Sequence, residues 1–225
     1  VALLELHGLT KSFTTPSGAV RRVVEVPFFS LEAGEQVGVL GPSGSGKTTF
    51  LHLIAGILRP DAGSILFQGR DLALLPEAQL DRVRAERMGL IFQTFNLLQG
   101  FTALENVAMG MAFGRGVDWG RARGLLDRVG LGAFADYLPA QLSTGQQQRV
   151  AVARAVAQRP LLVLADEPTA SLDGANGREA LDLIRELCRE EKAALLLVSH
   201  DGEVLEGMQR CVEMRLPERE LEGVR

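Results

Sequence analysis

The chain has 225 residues, 46% of them hydrophobic, with a formal net charge of −4. That is enough apolar material for one large core or for one domain carrying an insertion, and the acidic total argues against a nucleic-acid backbone as the main partner. No apolar run approaches the roughly 18 residues of a membrane-spanning helix, and the opening VALLELHGLTKSF lacks a basic region ahead of a long apolar core, so neither a span nor a secretory leader is expected.

VALLELHGL and VVEVPFFSL read as short strands separated by the turn-rich TTPSGA. A compact apolar strand over 36–40 then runs into a glycine-rich loop, after which Phe50, Leu51, Ile54, Ile57 and Leu58 recur at helical spacing. RPDAG closes that helix, SILFQG is a further strand, 76–87 a polar helix, and MGLIFQ (88–93) a strand again. From about 94 to 141 the texture changes. The segment is rich in glycine and short on β-branched runs, with helices expected in ALENVAMGMAFG and WGRARGLLDRVG. It reads as a helical lobe inserted in an α/β core, and with the helix that follows it spans about 94–157, leaving about 1–93 and 158–225 as the core. Alternation then resumes with the strand LLVLADEP, a helix over 177–191, the strand AALLLVSH and a last short strand, CVEMRL. Strands alternating with helices point to a largely parallel sheet. Cys188 and Cys211, with no CxxC and no histidine nearby, read as small buried hydrophobes in a reducing compartment; no metal cluster is expected.

GPSGSGKT, Gly41 to Thr48, fits G-x-x-x-x-G-K-[ST] and lies between a strand and a helix, as that motif requires. Gly44 and Gly46 let the backbone wrap phosphates with no Cβ in the way, Lys47 brings a movable charge to the β and γ oxygens, and the Thr48 hydroxyl can ligate Mg²⁺. The candidate nucleotide ligands here are Gly41, Ser43, Gly44, Ser45, Gly46, Lys47, Thr48 and Thr49. Asp166 ends the apolar run of LLVLADEP, so its carboxylate emerges at the carboxyl edge of a buried strand, where it can hold Mg²⁺ through water. Glu167 beside it is left free to polarise an attacking water. The plainer reading is that both acids cap the turn before Pro168. LSTGQQQRVAVARAV, 142–156, has the capping-box pattern of a helix start, with Ser143 and Gln146 three residues apart. It also aims a hydroxyl and a glycine at a helix N-terminus, an arrangement that binds anions.

GPSGSGKT, the FQ of Phe92 and Gln93, LSTGQQQRV, LLVLADEP, SLD and SH stand in the order and spacing of ATP-binding cassette (ABC) ATPases, and the chain resembles that family from Leu4 to about Arg215. GPSGSGKTT, FQTFNLLQGFTALENV and GQQQRVAVARA look most like the subgroup of lipoprotein-release, macrolide-efflux and cell-division ATPases. The resemblance implies a P-loop NTPase core with a largely parallel sheet, an N-terminal antiparallel β subdomain and the inserted helical lobe. It also implies the roles of individual residues. Gln93 would join core to lobe and reach Mg²⁺ and the water; His200 would bond the γ-phosphate and hold the water and Glu167 in line. Glu167, His200, Gln93 and Lys47 are thus the catalytic candidates, and Thr48, Gln93 and Asp166 the metal ligands. Phe13 stands where the family most often has a tyrosine stacked on adenine, although a core role in the first strands fits it as well. Asp173 would cross a subunit boundary, unless it is a helix N-cap. Ser143, Gly145 and Gln146 belong to the signature, whose usual Leu-Ser-Gly-Gly-Gln reads here with Thr144 in place of a glycine.

What the resemblance implies for the whole is a cytoplasmic ATPase, peripheral on the inner face of the cell membrane. It would use ATP and Mg²⁺, dimerise head to tail with a second copy around two ATP, and drive a separate transmembrane subunit docked on the helical lobe, in export or in lipid or lipoprotein handling. A mechanical regulator of the cell-division type shares the same cassette. A repair ATPase would carry a long coiled coil, a translation ATPase two cassettes in one chain, and a P-loop kinase would leave LSTGQ and His200 without a role.

Overall fold

The computed structural model describes residues 2–172 and 174–214. Two long strands, β1 (Ala2–Thr14) and β2 (Val20–Glu32), form a hairpin closed by the Thr15 amide donating to the Ala19 carbonyl (2.8 Å). With β4 (Ala62–Phe67) and β5 (Arg70–Asp71) they make an antiparallel sheet in the order β2-β1-β4-β5. The second sheet is wholly parallel, in the order β6-β7-β8-β3-β9, from β3 (Gln36–Leu40), β6 (Met88–Ile91), β7 (Leu162–Asp166), β8 (Ala194–Ser199) and β9 (Arg210–Glu213). The hairpin strands outrun the short ones expected, because register shifts let one ribbon continue past its irregular positions.

Strand alternation divides the interior into two cores. Leu162, Leu164, Leu196 and Val198 face the antiparallel sheet and helix α1 (Lys47–Ile54). Val163, Ala165, Leu195 and Leu197 face the opposite side, together with α3 (Ala103–Ala112), α4 (Trp119–Arg128), α5 (Thr144–Val156) and α6 (Gly174–Glu190). The polar helix α2 (Glu77–Arg87) lies between the two sheets in sequence and buries Leu80.

Helix α1 is shorter than its apolar spacing predicts. Gly56 turns left-handed at φ 65°, its amide donates to Leu53, and that of Ile57 donates to His52 (both 2.9 Å). This is a Schellman termination, and it leaves Ile57 exposed. Helix α6 starts at Gly174, ahead of the expected 177. Of the cysteines, Cys188 is buried, which pushes its thiol up to about 12. Cys211, expected to be buried, is exposed: among the described residues β9 is the edge strand and pairs with β3 alone. No helix among the described residues is long and apolar enough to cross a membrane.

Candidate nucleotide site

The functional side chains gather where the parallel strands end. Four neighbouring strands deliver them: β3 runs into Gly41, β6 into Phe92 and Gln93, β7 ends on Asp166, and β8 ends on Ser199. Ligands of open α/β sheets bind at such carboxyl edges. A cleft of about 390 Å³ opens there, lined by Ser43, Gly44, Gly46, Lys47, Thr48, Thr49, Gln93, Asp166, Glu167 and, unforeseen, Val23 of β2. A somewhat larger cleft, about 440 Å³ between β5 and α2, holds none of the phosphate-loop residues, so size does not mark the site.

The loop has the form its residues dictate. Gly44 and Gly46 sit at φ 78° and 91°, where a side chain is strained. A Cβ on Gly46 would also stand 2.4 Å from the Val23 carbonyl oxygen. Gly46 is the N-cap of α1 and no side chain caps that helix. Its first-turn N–H groups have no intrahelical partner and carry the positive end of the dipole. Beneath the loop, Gly41 is packed so closely that a Cβ would meet Ser45 Oγ at 2.7 Å. That hydroxyl is itself buried without a hydrogen-bond partner. Lys47 is buried, and its Nζ donates to the carbonyls of Gly41 (2.7 Å) and Pro42 (3.1 Å) and lies 3.3 Å from Glu167 Oε1.

Asp166 and Glu167 are held quite differently. Burial pushes the Asp166 carboxyl above the ordinary range, with the neighbouring Glu167 charge adding to it and the Thr48 hydroxyl opposing it. One oxygen, Oδ1, is buried without a partner. A carboxylate opposite a threonine hydroxyl, with a lone pair unspent, suits a hydrated divalent cation. Glu167, expected to be held in line by His200, is tethered by Ser199 and Lys47 as well. Oε1 lies 2.9 Å from His200 Nδ1 as well as near Lys47, and Oε2 accepts from Ser199 Oγ at 3.2 Å. The backbone of Glu167 is left-handed at φ 45°, a strain of about 1–3 kcal/mol that surrounding structure must hold. Its amide donates to the Val198 carbonyl at 3.0 Å. Because a carboxylate only accepts, the histidine hydrogen sits on Nδ1, leaving Nε2 of a neutral His200 as an acceptor toward solvent.

The signature lies apart from this cleft, since none of Ser143, Gly145 and Gln146 lines it. Ser143 caps α5 in a capping box: the Gln146 amide donates to Ser143 Oγ (3.3 Å) and the Ser143 amide to Gln146 Oε1 (2.9 Å). Thr144 is the first helical residue and is exposed, so its extra methyl and hydroxyl strain nothing. A Cβ on Gly145 would meet no atom within 4 Å, so no packing in this chain requires glycine there. Phe13 is 42% exposed, paired with Arg21 across the hairpin and 5.7 Å below the Lys11 ammonium, which removes the core role. It does not line the cleft. Asp173 lies outside the described residues.

Several residues of the site escaped sequence reasoning. Ser199 holds Glu167, and only its place beside His200 hinted at it. Arg154 of α5 donates to the carbonyls of Phe95 (2.6 Å) and Asn96 (2.7 Å), both left-handed, in the loop after Gln93. Asn106, fully buried, holds the same loop farther along: its side-chain carbonyl accepts from Leu98 N (2.8 Å) and its amide donates to Phe101 O (2.9 Å). Gly89 and Gly110 let α5 approach β6 and α3, since a Cβ on either would stand 2.2 or 2.4 Å from a helix carbonyl.

Residues 26–170 match the family model described as ABC transporter. The chain belongs to the ABC transporter family. As such it is an ATP-binding subunit and an ATPase. It is 41% identical to the lipoprotein-releasing system ATP-binding protein LolD 2 of Caulobacter vibrioides, over 99% of this chain and 98% of that one. It is equally 41% identical to the corresponding LolD of Shewanella sp. strain MR-4, over 95% and 93%. Among solved structures, a dimeric post-hydrolysis state of the ATP-binding cassette MJ0796, bound to ADP and Pi, matches with a TM-score of 0.85 and 34% identity over 94% of each chain. An ABC cassette accounts for the antiparallel subdomain, the parallel core and the helical lobe together.

Proposed function

We propose that this cassette powers the release or export of lipoproteins or other lipid-bearing cargo, working as an ATP-bridged dimer that drives a separate membrane subunit from the inner face of the membrane. The names of its relatives favour lipoprotein release over mechanical signalling in cell division. The observation that carries the reading is the separation of two half-sites: a cleft with phosphate loop and carboxylates, and a signature that contributes nothing to that cleft. In a head-to-tail pair each chain would complete its neighbour's site, giving two equivalent centres. Asp173 would lie at that boundary, and Phe13 would offer its exposed ring to adenine.

Within the cleft, the N–H groups of the loop and Lys47 bind the β and γ phosphates, Lys47 giving up its carbonyl partners to do so. Thr48, Asp166 and Gln93 would hold Mg²⁺, which supplies charge neutralisation on the phosphate oxygens. Glu167 takes the proton of the attacking water, while Ser199 and His200 fix its carboxylate; with Nδ1–H committed to Glu167, His200 reaches the γ-phosphate as the imidazolium, donating from Nε2–H. The exposed Leu98, Phe101, Tyr137 and Leu138 form an apolar end to the helical lobe, just past Gln93, for the membrane subunit to grip.

The test is Glu167→Gln. It should bind ATP, lose about 10²- to 10⁴-fold in hydrolysis, and accumulate as a dimer in size-exclusion chromatography; a variant that stays monomeric with saturating ATP would sink the reading. Asp166→Asn tests the metal position. A carboxyl raised by burial stabilises the fold at low pH, and that contribution is lost as pH rises from the ordinary aspartate value through the raised one. Asp166→Asn should therefore raise the melting temperature of the nucleotide-free protein at neutral pH, with the gain vanishing in acid, while abolishing the Mg²⁺-dependent part of ATP binding.

A further inference from the structure

We propose that Gln148 is a positioning residue that couples the start of α5 to the carboxylate of Glu167. Gln148 lies three residues past Gly145 and is 1% exposed. Its Nε2 donates to the carbonyl of Pro168. Since the acceptor is a carbonyl oxygen, only the NH₂ end of the amide can face it.

Pro168 follows Glu167 directly, and its ring fixes φ, so little slack separates that carbonyl from the Glu167 backbone. The left-handed Glu167 is thus gripped from both sides: its own amide is held by Val198 on β8, and the next carbonyl is held by Gln148 on α5. Packing alone does not account for a glutamine here. Val150, Ala151, Val152 and Ala153 follow it into the core, and Gln148 Oε1 is buried without a partner, a cost that an apolar side chain would avoid. What an apolar side chain would lack is the hydrogen bond to Pro168.

The inference rests on the ATP-bridged dimer proposed above. When Ser143 and Gly145 engage a phosphate bound to the second copy, the first turn of α5 shifts. Gln148 carries that shift to Glu167 of its own chain. Each site thereby aligns its general base only when the neighbouring site holds nucleotide.

Steady-state ATP hydrolysis by the full chain tests this with two variants, read beside their melting temperatures. Gln148→Met keeps the volume and removes the donor; kcat should fall about tenfold with KM within about twofold, as expected for one hydrogen bond felt in the transition state. Gln148→Glu sets an oxygen against the Pro168 carbonyl and should fall further. Hydrogen exchange at the Glu167 amide should quicken in both, without nucleotide. An unchanged kcat in Gln148→Met overturns the proposal, as does a matching rise in KM or a loss of folding in both variants, since either makes the residue merely structural. A wild-type chain that neither hydrolyses ATP nor dimerises with it would overturn the underlying reading as well, whereas an active wild type beside an unaffected Gln148→Met overturns this coupling alone.

Discussion

Helices α1 and α5 both begin on a loop of serine and glycine, yet their first turns are in opposite states. The start of α1 has Gly46 as its N-cap, no capping side chain, and a glycine that the Val23 carbonyl makes obligatory. The start of α5 is closed on itself by Ser143 and Gln146, and its Gly145 has open space where a side chain would be. One end is left open to an anion; the other is complete within its own chain. A glycine required by its own chain and a glycine that its own chain does not require are thus distinguished by geometry, although both are motif residues.

The sharpest way to break this contrast is Gly46→Ala. A Cβ 2.4 Å from a backbone oxygen, at a left-handed φ, should cost about 2–3 kcal/mol in denaturant unfolding and abolish ATP binding. Ser143→Ala should cost about 1 kcal/mol through the lost cap, leave ATP binding by the monomer intact, and weaken the ATP-bridged dimer in sedimentation. Gly145→Ala should give the smallest change, with the opposite sign: a gain of about 0.5 kcal/mol in the monomer, with dimerisation reduced. Were Gly145→Ala to destabilise the monomer as much as Gly46→Ala, the distinction between the two helix starts would collapse.

What was legible in the sequence follows the range of the interactions. The phosphate loop, the strand ending on Asp166 and the capping box of α5 depend on neighbours within a few residues, and each stands where the residue pattern put it. The end of α1 was misjudged because Ile57 and Leu58 continue the apolar period past Gly56, and the left-handed turn of one glycine outweighs that period. His200 was expected beside Glu167 from the family resemblance alone, but the rest of the tether was invisible, since Ser199 and Lys47 meet Glu167 only through the order of strands in the parallel sheet. Gly89 and Gly110 were invisible for the same reason: their need for a bare Cα arises from the approach of α5, distant in sequence. Thr144, the departure from the family pattern, is easily accommodated within its own chain, because the first position of an exposed helix turn tolerates a β-branched residue.

The two-faced parallel sheet has a consequence for how the molecule comes apart. The helical segment inserted in sequence shares one continuous interior with β7 and β8: Val107, Leu126 and Val152 belong to the same cluster as Val163, Ala165, Leu195 and Leu197. Inserted and flanking segments are therefore a single cooperative unit on that side. Heat should melt them in one transition, the slowest-exchanging amides of α5 and β7 should report the same global free energy, and excising the segment would strip one face of the very sheet that carries the carboxylates.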